Sequence, residues 1–209
     1  MKYYLKLLIA TIFHSRKYEI KRAYFHRDHP AAFDDTINND QWQKEVYEFA
    51  RKIFDENKLQ TVLDIGCGSA YKFIQNFKDK NITGIEIEPT LSWLKKEYPQ
   101  HKWAEINELK NDEQFGLIIC SDVIEHIPDP DVLLDKINSL DFKFLVLSTP
   151  DRELIKNKYN SIGPPFNPCH CREWNFDEFG KYIGARYKII SHFISNEEQK
   201  TQVILCIKN

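Results

Sequence analysis

The chain has 209 residues, of which 42% are hydrophobic and 29% are charged. This length suits one domain with a complete hydrophobic core and some additional chain. The 29 basic and 31 acidic side chains give a net charge of −2, so the protein has no overall attraction for a polyanion and nucleic acid is not an expected partner. Five cysteines, an odd number, are typical of reduced cytoplasmic thiols and do not indicate a disulfide framework.

The first 39 residues are predicted to form an N-terminal extension or lid in front of a main domain at residues 40–209. Residues 1–13 are apolar and aromatic, but they are too few to span a bilayer. Their larger apolar members fall near one helical stripe: Leu5, Leu8, Ile9, Ile12 and Phe13. Two interpretations stay open, a helix that packs on the domain and a basic amphipathic helix that rests on a membrane surface or a partner. The first interpretation, together with the reduced cysteines, predicts a cytoplasmic protein, and the second adds peripheral contact with a membrane.

A helix is predicted from Asp40 to about Glu56. Asp40 is a suitable N-terminal cap, and apolar residues follow it at helical spacing: Trp42, Val46, Phe49, Ala50 and Ile53. The helix leads directly into the next apolar run, so we expect it to belong to the main domain.

A strand, a glycine loop, a helix and a second strand are predicted between Thr61 and Ile87. The first strand is short and apolar, which is typical of a buried parallel strand. Gly66 and Gly68 end it, and without a Cβ they let the backbone turn sharply and approach a ligand. Glu86 lies twenty residues after Gly66, where an acid can accept hydrogen bonds from ribose hydroxyls. The unit predicts a site for a nucleoside-containing cofactor.

The glycine loop resembles motif I of the class I S-adenosylmethionine-dependent methyltransferases. It reads Asp64-x-Gly66-x-Gly68-x-Ala70, and the family usually has a third glycine where Ala70 stands. A dinucleotide fingerprint needs a glycine at Tyr71, which disfavours a nicotinamide oxidoreductase. The resemblance implies S-adenosylmethionine as cofactor and S-adenosylhomocysteine as product. It also implies a set of cofactor contacts: Asp64, Gly66, Cys67, Gly68, Glu86, Ile87, Glu105 and Ser121. Glu105 is equally well explained as a solvated loop acid.

A second resemblance lies after the fourth predicted strand, in residues 121–129. Many small-molecule methyltransferases of this class, including the ubiquinone-type O-methyltransferases, carry a Glu-His pair and a short acidic turn there, as Glu125 and His126 do here. Histidine suits a general base because its ordinary pKa lies near neutrality. His126 is therefore a candidate base, and a histidine bonded to backbone or cofactor is the alternative. The Pro-Pro-aromatic motif of nucleic-acid amino methyltransferases does not occur in these residues.

The predicted helices and strands alternate and end in a hairpin at about residues 186–207. This order matches the class I methyltransferase fold over residues 40–209. The resemblance implies an α/β, Rossmann-like architecture: a seven-stranded, mostly parallel sheet with an antiparallel last strand and helices on both faces.

Prolines and a glycine predict a rigid loop from Gly163 to Trp174. His170 is the second candidate base, with a loop clasp to Arg172 and Glu173 as its alternative. Arg172 is a candidate for holding an acidic group of the acceptor, and a salt bridge with Glu173 is its alternative. Trp174 is a candidate for stacking on the acceptor, although core packing is the commoner use of a tryptophan.

No metal is expected, because the neighbouring residues Cys169, His170 and Cys171 cannot easily wrap one ion and no second pair stands at a zinc-like spacing. The residue ranges 42–47, 148–151 and 168–174 are similar to bacterial methyltransferases of surface-glycan and secondary-metabolite pathways. The expected reaction is methyl transfer to a hydroxyl of a small molecule or sugar. The alternatives are N- or C-methylation of a protein or lipid-linked acceptor, and a non-catalytic cofactor-binding module.

Overall fold

The computed structural model describes most of the chain. The described residues are 4–5, 8–9, 17–21, 24, 26–31, 36, 42–111, 113–155 and 163–209. The predicted helix of residues 1–13 and the predicted cap Asp40 lie largely or wholly outside this part of the chain. Within it, Tyr4, Leu5, Leu8 and Ile9 are helical and exposed.

Seven strands form one sheet, in the order β3-β2-β1-β4-β5-β7-β6. Their bounds are β1 Thr61–Ile65, β2 Asn81–Ile85, β3 Lys102–Ala104, β4 Gln114–Ser121, β5 Asp141–Pro150, β6 Tyr187–Asn196 and β7 Thr201–Lys208. Strands β1 to β5 pair in parallel, and β7 is antiparallel to both β5 and β6. The predicted class I methyltransferase sheet is confirmed. Its order reverses at β1 and β4, so ligands are expected beyond the carboxyl ends of these two strands.

From residue 42 onward, the described part of the chain contains six α-helices. They are α1 Lys44–Glu56, α2 Tyr71–Phe77, α3 Thr90–Glu97, α4 Pro130–Ser139, α5 Arg152–Ile155 and α6 Phe176–Gly184. Two apolar clusters fill the core. One contains α1, α2 and α3 residues with one face of the sheet, and the other contains α4 and α6 residues with further strand residues. No helix in the described part of the chain is long and apolar enough to cross a bilayer.

Helix α1 begins later than predicted. Gln43, just before it, has a left-handed backbone with φ 59°, so the helix starts at Lys44 and not near Asp40. Trp42 consequently lies in a turn with 57% of its surface exposed, and it does not join the apolar stripe. The stripe itself is formed as predicted, with Val46 and Ala50 fully buried.

The N-terminal residues are joined to the rest of the fold at two places. Tyr18 and Tyr24 are buried in the same cluster as α4 and α6. Residues 26–31, which we call the N-terminal strap, run along the loop of residues 163–174, the acceptor loop. The Arg27 N–H donates to the Cys171 carbonyl at 2.7 Å and the Ala31 N–H to the Pro168 carbonyl at 2.9 Å. Main-chain bonds therefore fix the acceptor loop against the strap.

Candidate active site

The glycine loop connects β1 to α2 and has a backbone that favours glycine. Gly66 and Gly68 have φ values of 72° and 53°, in the left-handed region. A Cβ on Gly66 would lie 2.4 Å from a methyl carbon of Val123, in the turn after β4. The loop is therefore packed tightly against the next strand end, with no room for a side chain. Ala70, in place of the third glycine of the motif, also adopts a positive φ of 54°.

Asp64 lies at the end of β1, directly below this loop. It is fully buried, and its Oδ2 accepts a hydrogen bond from the Tyr47 hydroxyl at 2.8 Å. Its Oδ1 has no hydrogen-bond partner among the described residues. Burial raises the pKa of this carboxyl to about 7. A buried carboxylate oxygen without a donor fits a site that receives a polar or cationic ligand group.

Glu86 follows β2 and faces the same loop. It is buried, its Oε1 accepts the Gly68 N–H at 3.1 Å, and its Oε2 accepts the Ile87 N–H at 2.8 Å. The carboxylate is thus held where the second strand ends, which is the position required for contact with a ribose. Cys67, between the glycines, is buried, whereas the side chain of Ile87 is 70% exposed and could lie against an adenine ring.

The two outermost predicted cofactor residues have different surroundings. Ser121, at the end of β4, is buried, and its hydroxyl lies 2.9 Å from that of Ser148 on β5. Glu105, after β3, is exposed, and its N–H donates to the Glu108 carboxylate at 3.2 Å in a short 3-10 turn. Glu105 thus lies on the surface at the end of β3.

The acceptor loop is bonded to the turn that follows β4. The Cys171 N–H donates to the Glu125 carbonyl at 2.8 Å, and the His126 Nδ1 lies 2.9 Å from the Cys169 carbonyl. These contacts bring together residues more than 40 positions apart in the chain. The two candidate bases, His126 and His170, consequently lie edge to face with ring centroids 4.8 Å apart.

Glu125, His126 and His170 form a compact cluster. Each offers a nitrogen or oxygen atom, and these atoms lie within 4.8 Å of one another. Glu125 is fully buried, and burial raises the pKa of its carboxyl well above the ordinary range, with a further contribution from Asp122. Burial also lowers the pKa of His126 to about 4, so this imidazole is neutral at pH 7.

His170 is oriented by two side chains of its own loop. Its Nδ1 lies 2.8 Å from the Glu173 carboxylate, and its Nε2 lies 3.0 Å from the Asn167 amide nitrogen. Both His170 and Glu173 are buried. The sequence offered a loop clasp of His170 with Arg172 and Glu173 as the alternative; the contact with Glu173 is present, whereas Arg172 donates elsewhere. The contact with Glu173 is also the arrangement in which a carboxylate orients an imidazole base.

Arg172 and Trp174 do not have the surroundings predicted for acceptor contacts. Arg172 is buried, and its guanidinium donates to the Ile127 and Pro128 carbonyls, so it pairs neither with Glu173 nor with solvent. Trp174 is fully buried, and its ring stacks on Tyr182 at 5.5 Å. Neither side chain presents a surface on which an acceptor could stack or bind. Both connect the acceptor loop to the core.

Three residues that contact the candidate site residues were not predicted as part of the site. Tyr47 bonds Asp64 from helix α1, while Glu173 and Asn167 flank His170. Glu173 and Asn167 lie three residues to either side of His170, a spacing that allows contact in a turn. Tyr47 gave no comparable signal, because its contact depends on how α1 packs across β1.

Asp64 allows a prediction for stability as a function of pH. Its folded pKa of about 7 lies above its ordinary value of 3.8, so between these pH values the folded state holds a proton that the unfolded state has lost. Stability should therefore fall as pH rises through this window, by at most about 4 kcal/mol. Asp64→Asn should flatten the decline, which urea unfolding at several pH values would measure. If the free energy of unfolding of the two proteins changed with pH in parallel, the raised pKa of Asp64 would be contradicted.

The comparisons with known proteins agree with this geometry. A family model described as a methyltransferase domain matches residues 35–195. A search of curated proteins finds no significant match. Among solved structures, magnesium protoporphyrin IX methyltransferase from Synechocystis PCC 6803, with bound S-adenosylhomocysteine, has a TM-score of 0.60 and 16% identity over 80% of this chain and 83% of that chain.

Two further solved structures are similar. The N-methyltransferase NodS from Bradyrhizobium japonicum WM9, in complex with S-adenosylhomocysteine, has a TM-score of 0.60 and 13% identity over 83% of this chain and 94% of that chain. The 1,6-didemethyltoxoflavin-N1-methyltransferase of Burkholderia thailandensis has a TM-score of 0.57 and 17% identity, covering 81% of each chain. At such identities the likeness concerns the fold. Taken with the family match and the motif I loop, it shows that the chain belongs to the class I S-adenosylmethionine-dependent methyltransferases.

Proposed function

We propose that the protein methylates a hydroxyl oxygen of a small molecule or sugar, with His170 as the general base. The observation that supports this best is the buried pair of His170 and Glu173 beside the imidazole of His126, which is neutral at pH 7. His126 follows β4, and the acceptor loop that carries His170 and Glu173 is bonded to the same turn. Val123 in this turn packs against Gly66 of the glycine loop. A hydroxyl needs a base at transfer, and this cluster provides one.

The cofactor-side residues have distinct proposed roles. Gly66 and Gly68 let the main chain approach the cofactor, and Glu86 accepts hydrogen bonds from the ribose hydroxyls. Glu86 now accepts the Gly68 N–H, so one of its lone pairs would remain on the loop while others turn to the ribose. The Asp64 Oδ1, which has no donor among the described residues, would receive a polar group of the methionine part.

On the acceptor side, the chain must position an oxygen and take its proton. Bound S-adenosylmethionine would supply a methyl group activated by its sulfonium, with S-adenosylhomocysteine as the leaving group. Effective transfer requires the oxygen about 3 Å from the methyl carbon. We assign the Nε2 of His170 as the proton acceptor, because Glu173 stabilises the imidazolium that forms. The amide of Asn167, which now donates to that nitrogen, would give way to the acceptor hydroxyl.

A substrate class follows from the surroundings of the cluster. Uncharged hydroxyl acceptors fit best, since the carboxyls of Asp122, Glu125 and Glu173 surround the cluster and Arg172 is engaged with main-chain carbonyls. The similar methyltransferase from Burkholderia thailandensis binds the small acceptor 1,6-didemethyltoxoflavin, which supports an acceptor of this size. We also propose that the N-terminal segment acts as a lid, because the strap borders the acceptor loop.

The test is a methyl-transfer assay with labelled S-adenosylmethionine and a panel of hydroxylated acceptors, including nucleotide sugars, together with their amino analogues. With the best acceptor, His170→Gln is expected to lower turnover by about 100-fold or more, since a general base contributes about 10²–10⁴. Binding of S-adenosylhomocysteine should be retained. His101→Gln, a partly buried histidine near Trp103, is the matched control.

Two results would overturn parts of the proposal. Normal turnover by His170→Gln would remove His170 as the base. Transfer to the amino analogues with none to the hydroxyls would show that the atom methylated is nitrogen.

A further inference from the structure

The cluster of Glu125, His126 and His170 has a feature that proton abstraction does not explain. Glu125 is fully buried, and only one of its oxygens is satisfied: Oε2 accepts the Thr149 hydroxyl at 3.1 Å. Its Oε1 has no hydrogen-bond partner among the described residues. None of the ion pairs in the described part of the chain involves Glu125. A buried carboxylate oxygen without a donor is costly, so a missing partner is indicated.

The two imidazoles are held in defined orientations. A carbonyl oxygen only accepts hydrogen bonds, so the contact with the Cys169 carbonyl places the ring proton of neutral His126 on Nδ1 and its lone pair on Nε2. The Glu173 carboxylate does the same for His170 by accepting from its Nδ1. An acceptor on one ring nitrogen that directs the other nitrogen outward is the usual second shell of a metal-bound histidine.

From these contacts we propose that Glu125, His126 and His170 bind one divalent transition-metal ion, with Zn²⁺ as the best match. Two imidazole nitrogens and one carboxylate oxygen form a ligand set that Zn²⁺ accepts, with a fourth position left for water or an oxygen ligand. Mg²⁺ and Ca²⁺ prefer oxygen ligands throughout, which two histidines cannot offer. The ion would supply the partner that the Glu125 Oε1 lacks.

The distances allow the site to close with side-chain movements alone. The candidate ligand atoms lie within 4.8 Å of one another, whereas bonds of about 2.0–2.1 Å at tetrahedral angles place ligands about 3.3 Å apart. Asn167, whose amide nitrogen now lies 3.0 Å from the His170 Nε2, must turn away from it. Asn167 is only partly buried, which leaves it room to do so.

The charge around the cluster also favours a cation. The carboxylates of Asp122 and Glu173 both act on Glu125. Of the two buried arginines of this region, Arg172 donates to the Ile127 and Pro128 carbonyls, and Arg152 directs its Nη2 to the Glu178 carboxylate. The sequence interpretation missed this set because it considered only Cys169, His170 and Cys171. The fold adds Glu125 and His126, and it directs the Cys171 thiol to the His126 carbonyl.

Methyl transfer does not require the proposed ion, and the ligand set of the metal site does not depend on the identity of the acceptor. The ion would, however, bind the His170 Nε2 lone pair, which is the proton acceptor assigned above. Metal-loaded protein is therefore expected to transfer methyl groups more slowly than protein treated with a chelator.

The direct test is titration of tag-free, chelator-treated full-length protein with Co²⁺. The visible d–d absorption of the bound Co²⁺ is monitored, and Zn²⁺ is then added as a competitor. One equivalent should bind with a tetrahedral or five-coordinate spectrum, and Zn²⁺ should displace it. Glu125→Gln, which keeps the side-chain shape and the Thr149 contact, should weaken binding by more than about 100-fold, and Glu173→Gln by about 10- to 100-fold. Asn167→Ala should bind at least as tightly as the wild type, because the competing donor is gone.

His101→Gln, outside the cluster, should leave the Co²⁺ titration unchanged, and thermal unfolding would confirm that each variant is folded. No stoichiometric Co²⁺ or Zn²⁺ binding would overturn the proposal, and so would equal binding by Glu125→Gln. Loss of binding in His101→Gln would place the ion elsewhere. If metal binding fails while His170→Gln still loses turnover, the proposed function stands without the ion. If metal binds and turnover rises, the site stands and His170 is not the base.

Discussion

Replacing Gly66 with alanine is expected to weaken binding of S-adenosylmethionine and S-adenosylhomocysteine by about tenfold or more. The residue has a φ of 72°, and an alanine held in the left-handed region costs roughly 1–2 kcal/mol. Its Cβ would also lie 2.4 Å from a Val123 methyl, so the loop or the turn after β4 must move. Since 1.4 kcal/mol corresponds to a factor of ten, these effects together reach or exceed that factor. Isothermal titration would measure it.

A matched glycine shows whether the effect is local. Gly184 ends α6 with an ordinary backbone, and a Cβ there meets its nearest atom at 3.5 Å, so Gly184→Ala should leave cofactor affinity unchanged. The double variant Gly66→Ala/Val123→Ala removes the clash but not the backbone strain, and should recover part of the affinity. Unchanged binding in Gly66→Ala would mean that this loop does not contact the cofactor.

Arg152→Met is expected to destabilise the protein by about 3–5 kcal/mol, as found when one partner of a buried ion pair is removed. Arg152 is fully buried, and its Nη2 lies 2.7 Å from the Glu178 carboxylate. Its Nη1 donates to the Glu173 carbonyl at 2.7 Å, and its guanidinium lies over the Tyr24 ring. Without the arginine, Glu178 would keep a buried charge with fewer partners. Urea unfolding would report the loss as a lower midpoint.

The surface residue Arg51 is the comparison for this effect. It pairs with Asp55 and Asp79, whose side chains are about half exposed, so Arg51→Met should cost no more than about 1 kcal/mol. The double variant Arg152→Met/Glu178→Gln should be more stable than Arg152→Met alone, because no uncompensated charge is left. Equal stability of Arg152→Met and the wild type would show that the buried pair contributes nothing net.

The sequence was most informative where a local pattern decides the structure. Apolar runs predicted the strands, and Asn175 is a residue type that favours a helix cap: its side chain accepts the Glu178 N–H at 2.9 Å at the start of α6. The motif I spacing predicted that Gly66, Gly68 and Glu86 would meet, and the Glu86 carboxylate does accept the Gly68 N–H. Such features depend on backbone conformation and strand order, which short patterns encode.

It was least informative where distant segments meet. Trp174 was assigned to the acceptor but packs on Tyr182, because the end of the acceptor loop, from His170 onward, is buried. The approach of Glu125 to His170 depends on the bond between the Cys171 N–H and the Glu125 carbonyl. No spacing in the chain encodes that bond. Likewise Asp40 resembles a helix cap, but the left-handed Gln43 starts α1 later.

The bonds between the N-terminal strap and the acceptor loop bear on how new specificities could arise. Arg27 and Ala31 bond the loop through main-chain groups, and the Arg27 guanidinium also donates to the Pro165 and Asn167 carbonyls. Phe166, between those carbonyls, is 75% exposed. Because carbonyls are present whatever the side chain, position 166 can vary without loss of these anchors. A library randomised there would therefore vary an exposed side chain on a loop of constant shape, while the candidate cofactor residues, which lie between positions 64 and 121, stay untouched.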